Sequence, residues 1–432
     1  MTPTFSDFAA RLRRFIDGSV AGSTGNVHGP REQSDETFEQ LALELFPLQF
    51  THNEAYRKLC EFRKLRPRTL TVQTRASRAC SDVEQWWQIP PVPTGAFKEL
   101  DLTCLPPHER KFVFRSSGTT SHNRSRHFHS QSSLALYEAS VLAWFKPHLM
   151  GDLHEPITVL SLTPPPVAAP DSSLVHMLQT ISRTSGSDCV FAGRVEQDGS
   201  WTLDLPAILK FLDRLAGSSS PILVPGTAFN FVHLMDCCAE KGRRLQLPAG
   251  SRILETGGYK GRSRTVAKLE LHSLISEFFG VANSHIITEY GMSELSSQAY
   301  DAAVPLLEAN ADGRLTDLDR SVSPHPSPLP KGEGVHDVRS SACARLAPTS
   351  PSFHFPPWAR AQVISPETGE LVGEGQTGLI RVFDLANVWS VMAVQTEDLA
   401  IRRGSGFELL GRAAEAEPRG CSLMASAESS DR

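Results

Sequence analysis

The 432-residue chain lacks any cysteine spacing that suits a zinc site or a secreted disulfide framework. Its eight cysteines are Cys60, Cys80, Cys104, Cys189, Cys237, Cys238, Cys343 and Cys421. None forms a CxxC pair, and Cys237 and Cys238 are adjacent, so they read as reduced thiols, mostly buried. No uninterrupted run of about 18 apolar residues occurs, so no membrane span is expected. Charge of one sign is not in excess either. Lys plus Arg number 43 against 48 for Asp plus Glu, a net charge of −5, which gives no reason to expect nucleic acid or an anionic membrane as partner. A GxxxxGK[ST] phosphate loop is absent as well. The opening residues Met1–Val20 lack a signal peptide's apolar stretch, because Asp7, Arg11, Arg13, Arg14 and Asp17 interrupt every run. The expected location is therefore cytoplasmic. Phe5, Phe8, Leu12 and Phe15 fall instead at the spacing of an amphipathic helix.

What is present suits a soluble enzyme, with 40% apolar and 21% charged residues. From Ile157 onward, short apolar runs alternate with helical stretches. Ile157–Leu162, Ile222–Val224, Arg252–Leu254 and His285–Ile287 read as buried strands. Between them lie helices carrying Leu174, Val175, Leu178 and Ile181, then Phe231, Leu234 and Met235, then Val266, Leu269, Leu274, Ile275 and Phe278. Ser172 or Ser173 caps the first of these. This alternation predicts an α/β domain with a largely parallel sheet. Ligands of such sheets bind beyond the carboxyl ends of the strands, so the loops there are where chemistry belongs.

Residues 306–351 break the pattern. Prolines at 324, 326, 328 and 330 remove backbone donors and fix φ, so this stretch reads as a disordered or extended insertion. Beyond it, Ala361–Ser365 and Leu379–Phe383 read as antiparallel strands. Leu399–Arg402 and Phe407–Leu410 read as a hairpin closed by Gly404-Ser-Gly406.

Five short segments carry candidate chemistry. Ser116, Ser117, Gly118, Thr119 and Thr120 follow the apolar Lys111–Phe114 and offer hydroxyls and close backbone amides to a polyphosphate. Arg124, Arg126, His127 and His129 follow and would add positive charge against leaving pyrophosphate. In Thr288-Glu-Tyr-Gly-Met-Ser-Glu294, Tyr290 can stack on a purine and Glu294 can hold Mg²⁺. Glu255-Thr-Gly257-Gly258-Tyr259 would bring backbone close to a flat ligand. In Thr396-Glu-Asp398 one carboxylate can take both ribose hydroxyls, and Arg412 of Gly411-Arg412 can reach phosphate. Each segment alone also fits a polar turn or a solvated surface group.

In this order the segments resemble the adenylate-forming superfamily. SSGTT, ETGGYKG, TEYGMSELSSQ, QTEDL and GRAAEAEPRGCSL are most similar to the long-chain acyl-protein synthetases, the acyl-protein thioester ligases of the bacterial luciferase fatty-acid reductase system. Ile89-Pro-Pro-Val-Pro93 with Phe97-Lys98, Phe114 to His127, Pro356-Pro-Trp358 and Asp384-Leu-Ala-Asn387 add to the match. The resemblance covers roughly 40–300 and 353–424. It implies an adenylate-forming large domain over 1–410, with parallel sheets flanked by helices and a small β-rich part, interrupted at about 306–351. A short C-terminal remnant, 411–432, would carry Cys421.

The implied roles are residue-specific. Ser116–Thr120 would form the phosphate loop, with Gly257, Gly258, Tyr259 and Gly291 around the nucleotide. Tyr290 would stack on adenine, Glu294 hold Mg²⁺, Asp398 bind ribose and Arg412 contact the adenylate phosphate. Cys421 would accept the acyl group, with Arg419 favouring its thiolate. ATP and Mg²⁺ are the implied cofactors, a fatty or other small carboxylic acid the substrate, and an acyl-reductase the protein partner. Three departures stand out: Ser121 takes the place of a common glycine, about 20 residues follow Arg412 where the superfamily usually has a lid, and, most serious, the insertion follows the Tyr290–Gln298 loop. Two further readings stay open, a CoA ligase of phenylacetate type and a non-catalytic ligase remnant that binds a partner.

Overall fold

In the computed structural model the chain is described at residues 4–21, 31–68, 81–116, 124–151, 153, 157–185, 189–215, 218–258, 264, 266–304, 308–309, 315–316 and 352–413. Apolar runs too short for helices supply the strands of a six-stranded sheet. Its order is Ala299–Tyr300, Ile286–Tyr290, Arg252–Glu255, Ile222–Gly226, Thr158–Ser161, Cys189–Phe191. Five strands run parallel, and only Ala299–Tyr300 is antiparallel, folding back on Ile286–Tyr290.

Both faces of this sheet are covered, which is why its strands are apolar on both sides. Helices Ala228–Glu240 and Lys268–Phe279 bring Phe231, Leu234, Leu271, Ile275 and Phe279 to one face. Helices Gln131–Leu149 and Ser173–Ser185 bring Val141, Phe145, Met177 and Ile181 to the other. The hydroxyl of Ser172 accepts the amide of Val175 at 3.3 Å and so caps the second of these, as the sequence indicates.

A second sheet is antiparallel: Ala359–Ile364, Thr377–Asp384, Ala393–Arg403 and Gly406–Arg412, with Val92–Pro93 alongside the third strand. The expected hairpin is there, with Arg403 paired to Gly406. This sheet packs on the N-terminal helices Phe5–Ala21, Arg31–His52 and Glu54–Phe62, with Phe8, Leu12 and Phe46 in one cluster with Val382 and Val394. The mixed α/β architecture expected from the sequence is thus present. Within 306–351, only 308–309 and 315–316 are described, and they pair with each other; the proline-rich stretch lies outside the described residues. No described helix is long and apolar enough to cross a membrane.

Candidate active site

Tyr290 ends the fifth parallel strand, at the sheet edge where ligands of α/β proteins bind. Its ring lies against Phe353, Phe355 and Phe407, with centroid separations of 6.0, 6.2 and 5.3 Å. Its hydroxyl donates to Asp398 Oδ2 at 2.8 Å. Burial and the adjacent Asp398 carboxylate push the phenol well above its usual range, so it stays a donor. The antiparallel register sets Asp398 opposite Arg412, whose Nε stands 3.3 Å from Oδ1. One carboxylate therefore bridges the phenol of the parallel sheet and the guanidinium of the last strand.

Glu294 follows four residues later and is 2% exposed. The Ser293 hydroxyl donates to its Oε2 at 2.9 Å. Ser293 in turn meets the Ser125 hydroxyl at 3.2 Å. Ser125 and Ser116 exchange hydrogen bonds: the Ser116 amide donates to Ser125 Oγ at 3.2 Å and the Ser125 amide to Ser116 Oγ at 3.0 Å. The first residue of the hydroxyl-rich loop is thus tied to Glu294 through two serines. The register of the hairpin Phe112–Arg115 and Arg126–His129 puts Ser116 and Ser125 side by side at its open end.

The loop after Glu294 is clamped from the second sheet. Asp384 Oδ2 accepts the Ser296 amide at 2.8 Å, and its Oδ1 accepts the Ser297 hydroxyl at 2.7 Å. Asn387 Nδ2 donates to the Glu294 carbonyl at 2.9 Å, and Asn387 Oδ1 accepts the Ser296 hydroxyl at 2.7 Å. Ser125, Ser293, Asp384 and Asn387 were not singled out as functional from sequence. The only signal was that Ser125, Asp384–Asn387 and the serines of 293–297 fall inside stretches that resemble the family.

The two histidines do not play their expected part. His127 Nδ1 sits 2.9 Å from the Ser293 carbonyl, and burial lowers its pKa to about 4; His129 is driven well below the usual range for the same reason. Both are neutral near pH 7 and supply no positive charge, which corrects the sequence reading. Arg124 and Arg126 are held by carboxylates, Asp171 at 3.1 Å and Asp101 at 3.1 Å, while Arg124 Nε also donates to the Ser116 carbonyl at 2.5 Å.

Gly257 and Gly258 adopt φ of 67° and 87°, the left-handed region open to glycine. Their carbonyls accept the first amides of helix Ala228–Glu240, from Ala228 at 3.0 Å and Phe229 at 3.4 Å. Ser117, Gly118, Thr119, Thr120, Tyr259 and Cys421 lie outside the described residues. Among the described residues no group of three or more His, Cys, Asp or Glu side chains gathers for a metal. A magnesium ion carried on nucleotide phosphates needs only one or two protein carboxylates, and Glu294 fits that donor set.

Solved structures share the fold. A 2-hydroxyisobutyryl-CoA ligase in its thioesterification state, with 2-HIB-AMP and CoA, superposes with a TM-score of 0.56 at 12% identity, over 89% of this chain and 69% of that one. Its open form gives 0.53 at 11% identity, over 87% and 75%. The fold is that of adenylate-forming enzymes. Residues 21–308, more than half of the chain, match the family described as acyl-protein synthetase, LuxE, and the chain belongs to it. No curated protein matches the chain. The protein is accordingly an AMP-forming ligase that activates a carboxylic acid with ATP.

Proposed function

We propose that this ligase makes an acyl-AMP from a long-chain fatty acid and hands the acyl group to a protein cysteine, for delivery to an acyl-reductase. In the first step one carboxylate oxygen of the acid attacks the α-phosphorus of ATP. The bond to the bridging oxygen breaks, and pyrophosphate leaves with that electron pair. Ser116 and the loop after it hold the phosphates, Tyr290 faces the adenine, Asp398 takes the ribose hydroxyls and Arg412 meets the α-phosphate. Glu294 would hold Mg²⁺, which offsets negative charge on the phosphates. In the second step a thiolate attacks the acyl carbonyl, AMP leaves, and a thioester remains. Cys421 is our candidate for that thiol, and its placement lies outside the described residues.

A single observation supports the first step. Ser116, Tyr290, Glu294, Asp398 and Arg412 come from four separate parts of the chain, yet two polar chains link them, one from Ser116 to Glu294 and one from Tyr290 through Asp398 to Arg412. Acid-dependent exchange of labelled pyrophosphate into ATP tests it. We expect exchange with wild type and its loss in Glu294→Ala. Hydroxylamine-sensitive labelling of the protein by radioactive fatty acid tests the second step. Undiminished labelling of Cys421→Ser would remove that cysteine from the pathway, and consumption of CoA without protein labelling would favour a CoA ligase instead.

A further inference from the structure

Glu294 sits in a tight turn, closed by the Leu295 amide donating to the Met292 carbonyl at 3.2 Å. That bond leaves the carbonyls of Ser293 and Glu294 to other donors, and each meets a buried side chain from a different wall of the site. His127 Nδ1 stands 2.9 Å from the Ser293 carbonyl, and Asn387 Nδ2 stands 2.9 Å from the Glu294 carbonyl. A carbonyl oxygen only accepts, so the proton of the His127 ring lies on Nδ1. His127 is 3% exposed and Asn387 1%, so water does not compete for either bond.

These two carbonyls belong to the peptide planes on either side of the Glu294 Cα. Peptide units are planar, so holding both planes fixes the two backbone dihedrals of Glu294 and the direction in which its side chain leaves the chain. One bond alone leaves the other plane free to turn about the Cα. Strand alternation brings His127 to this place. Ser125, His127 and His129 are buried, while Arg124, Arg126 and Phe128 between them are half-buried. Ring contacts to Phe97 and His129, with centroids at 6.3 and 4.3 Å, seat the imidazole. From the same side of the strand, Ser125 Oγ meets Ser293 Oγ at 3.2 Å. The hairpin that presents Ser116 thus grips Ser293 by both its hydroxyl and its carbonyl.

We propose that His127 is a positioning residue for acid activation: together with Asn387 it fixes the backbone from which the Glu294 carboxylate reaches the nucleotide. This rests on the adenylation reading and gives it a residue that acts through Glu294 rather than on the substrate. Because the two donors act on one Cα, they work as a pair, and losing either gives most of the loss of both.

The test is pyrophosphate exchange by the full chain with acetic, octanoic and hexadecanoic acid, beside Tm. His127→Phe keeps the ring packing and removes the donor; it should lower kcat about ten- to a hundredfold with KM for the acid little changed, as for a small misplacement of a catalytic group. His127→Asn, whose amide can donate from the Nδ1 position, should recover most of that kcat, and His127→Gln should not. Combined with Asn387→Ala, His127→Phe should exchange no more slowly than the slower single variant, although Tm falls further. Wild-type kcat in His127→Phe, or losses that multiply in the double variant, overturns the proposal. Should His127→Phe not fold, equal kcat in the Asn and Gln variants overturns it. In wild type, long-range proton–nitrogen NMR of the histidine rings should show His127, assigned by its absence from His127→Asn, protonated on Nδ1. A ring protonated on Nε2 alone overturns the proposal without any activity measurement. Exchange by wild type with none of the acids overturns the adenylation reading, and the positioning role with it, whatever the NMR shows.

Discussion

The contact between Tyr290 and Asp398 joins the two sheets at the site, and a double-mutant cycle measures what it contributes. The phenol donates to Oδ2 at 2.8 Å, and both residues are less than 10% exposed, at 7% and 8%. A hydrogen bond to a charged group contributes about 1.5–3 kcal/mol to stability. Asp398 keeps Arg412 at 3.3 Å when the phenol is removed, so Tyr290→Phe should sit near the lower end of that range. Asp398→Asn keeps the shape but removes the charge that ribose hydroxyls and Arg412 both meet. We expect each single variant to weaken ATP binding about tenfold or more, roughly 1.4 kcal/mol. The double variant should lose less than the sum, with a coupling of about 1–2 kcal/mol in urea unfolding. Calorimetric titration with ATP and Mg²⁺, beside urea denaturation of all four proteins, gives both numbers. Strictly additive energies would show that the contact does nothing, and unchanged ATP affinity in both single variants would refute a nucleotide at this position.

Three other outcomes follow from the same geometry. Gly291→Ala should destabilise the fold by about 1–3 kcal/mol, because its Cβ would meet Glu289 Oε1 at 2.3 Å; adding Glu289→Ala should recover much of the loss, read as Tm. Asn387→Ala removes the donor that holds the Glu294 carbonyl and the acceptor of the Ser296 hydroxyl, so kcat of exchange should fall while the protein stays folded by circular dichroism; wild-type kcat would refute the clamp. Glu289 and Asp384 have folded pKa values raised by burial to about 8 and about 6, so the native state binds more protons than the unfolded chain above about pH 4. Stability from these groups is complete at low pH and is lost as pH rises, through about 6 for Asp384 and about 8 for Glu289. Glu289→Gln should flatten the decline in Tm between pH 6 and 8, and an unchanged slope would show that Glu289 is ionised in the native state.

Much of the fold was legible because its signals are local. The parallel strands are apolar runs of a few residues, buried on both faces, and the Gly404–Gly406 turn announces its hairpin. Of the candidate site, local signals give Tyr290 at a strand end, with Glu294 four residues on, and Asp398 directly opposite Arg412 on the next strand; their roles remain proposals. The helix Arg31–His52 was not legible. It contains Pro47, and its buried Leu41, Leu48 and Phe50 widen the buried face well beyond the stripe of Phe38, Ala42, Leu45, Phe46 and Gln49. The serine relay was hidden as well. Ser125 meets Ser293 across 168 positions, and no local pattern encodes such a pairing. His127 and His129 misled for the opposite reason: beside Arg124 and Arg126 they look cationic, but on the hairpin strand they are buried, which lowers their pKa further below neutrality.

The clamp on the Glu294 loop extends to helices that never touch the site. Gln49, fully buried on helix Arg31–His52, donates to the carbonyls of Asn387 at 2.8 Å and Val388 at 3.2 Å, and accepts the Met392 amide at 3.0 Å. It therefore fixes the turn from which Asn387 reaches the Glu294 carbonyl. Substitutions at Gln49 should then act on catalysis through Asn387, beyond their effect on stability, because the buried amide groups they leave unpaired lie one residue link from the catalytic loop. The N-terminal helices are in this sense part of the active site's frame. The Gln49 side chain holds the backbone of Asn387, and the Asn387 side chain holds the backbone of Glu294, so this buried relay, more than any single motif, sets where Glu294 stands relative to Tyr290 and Asp398.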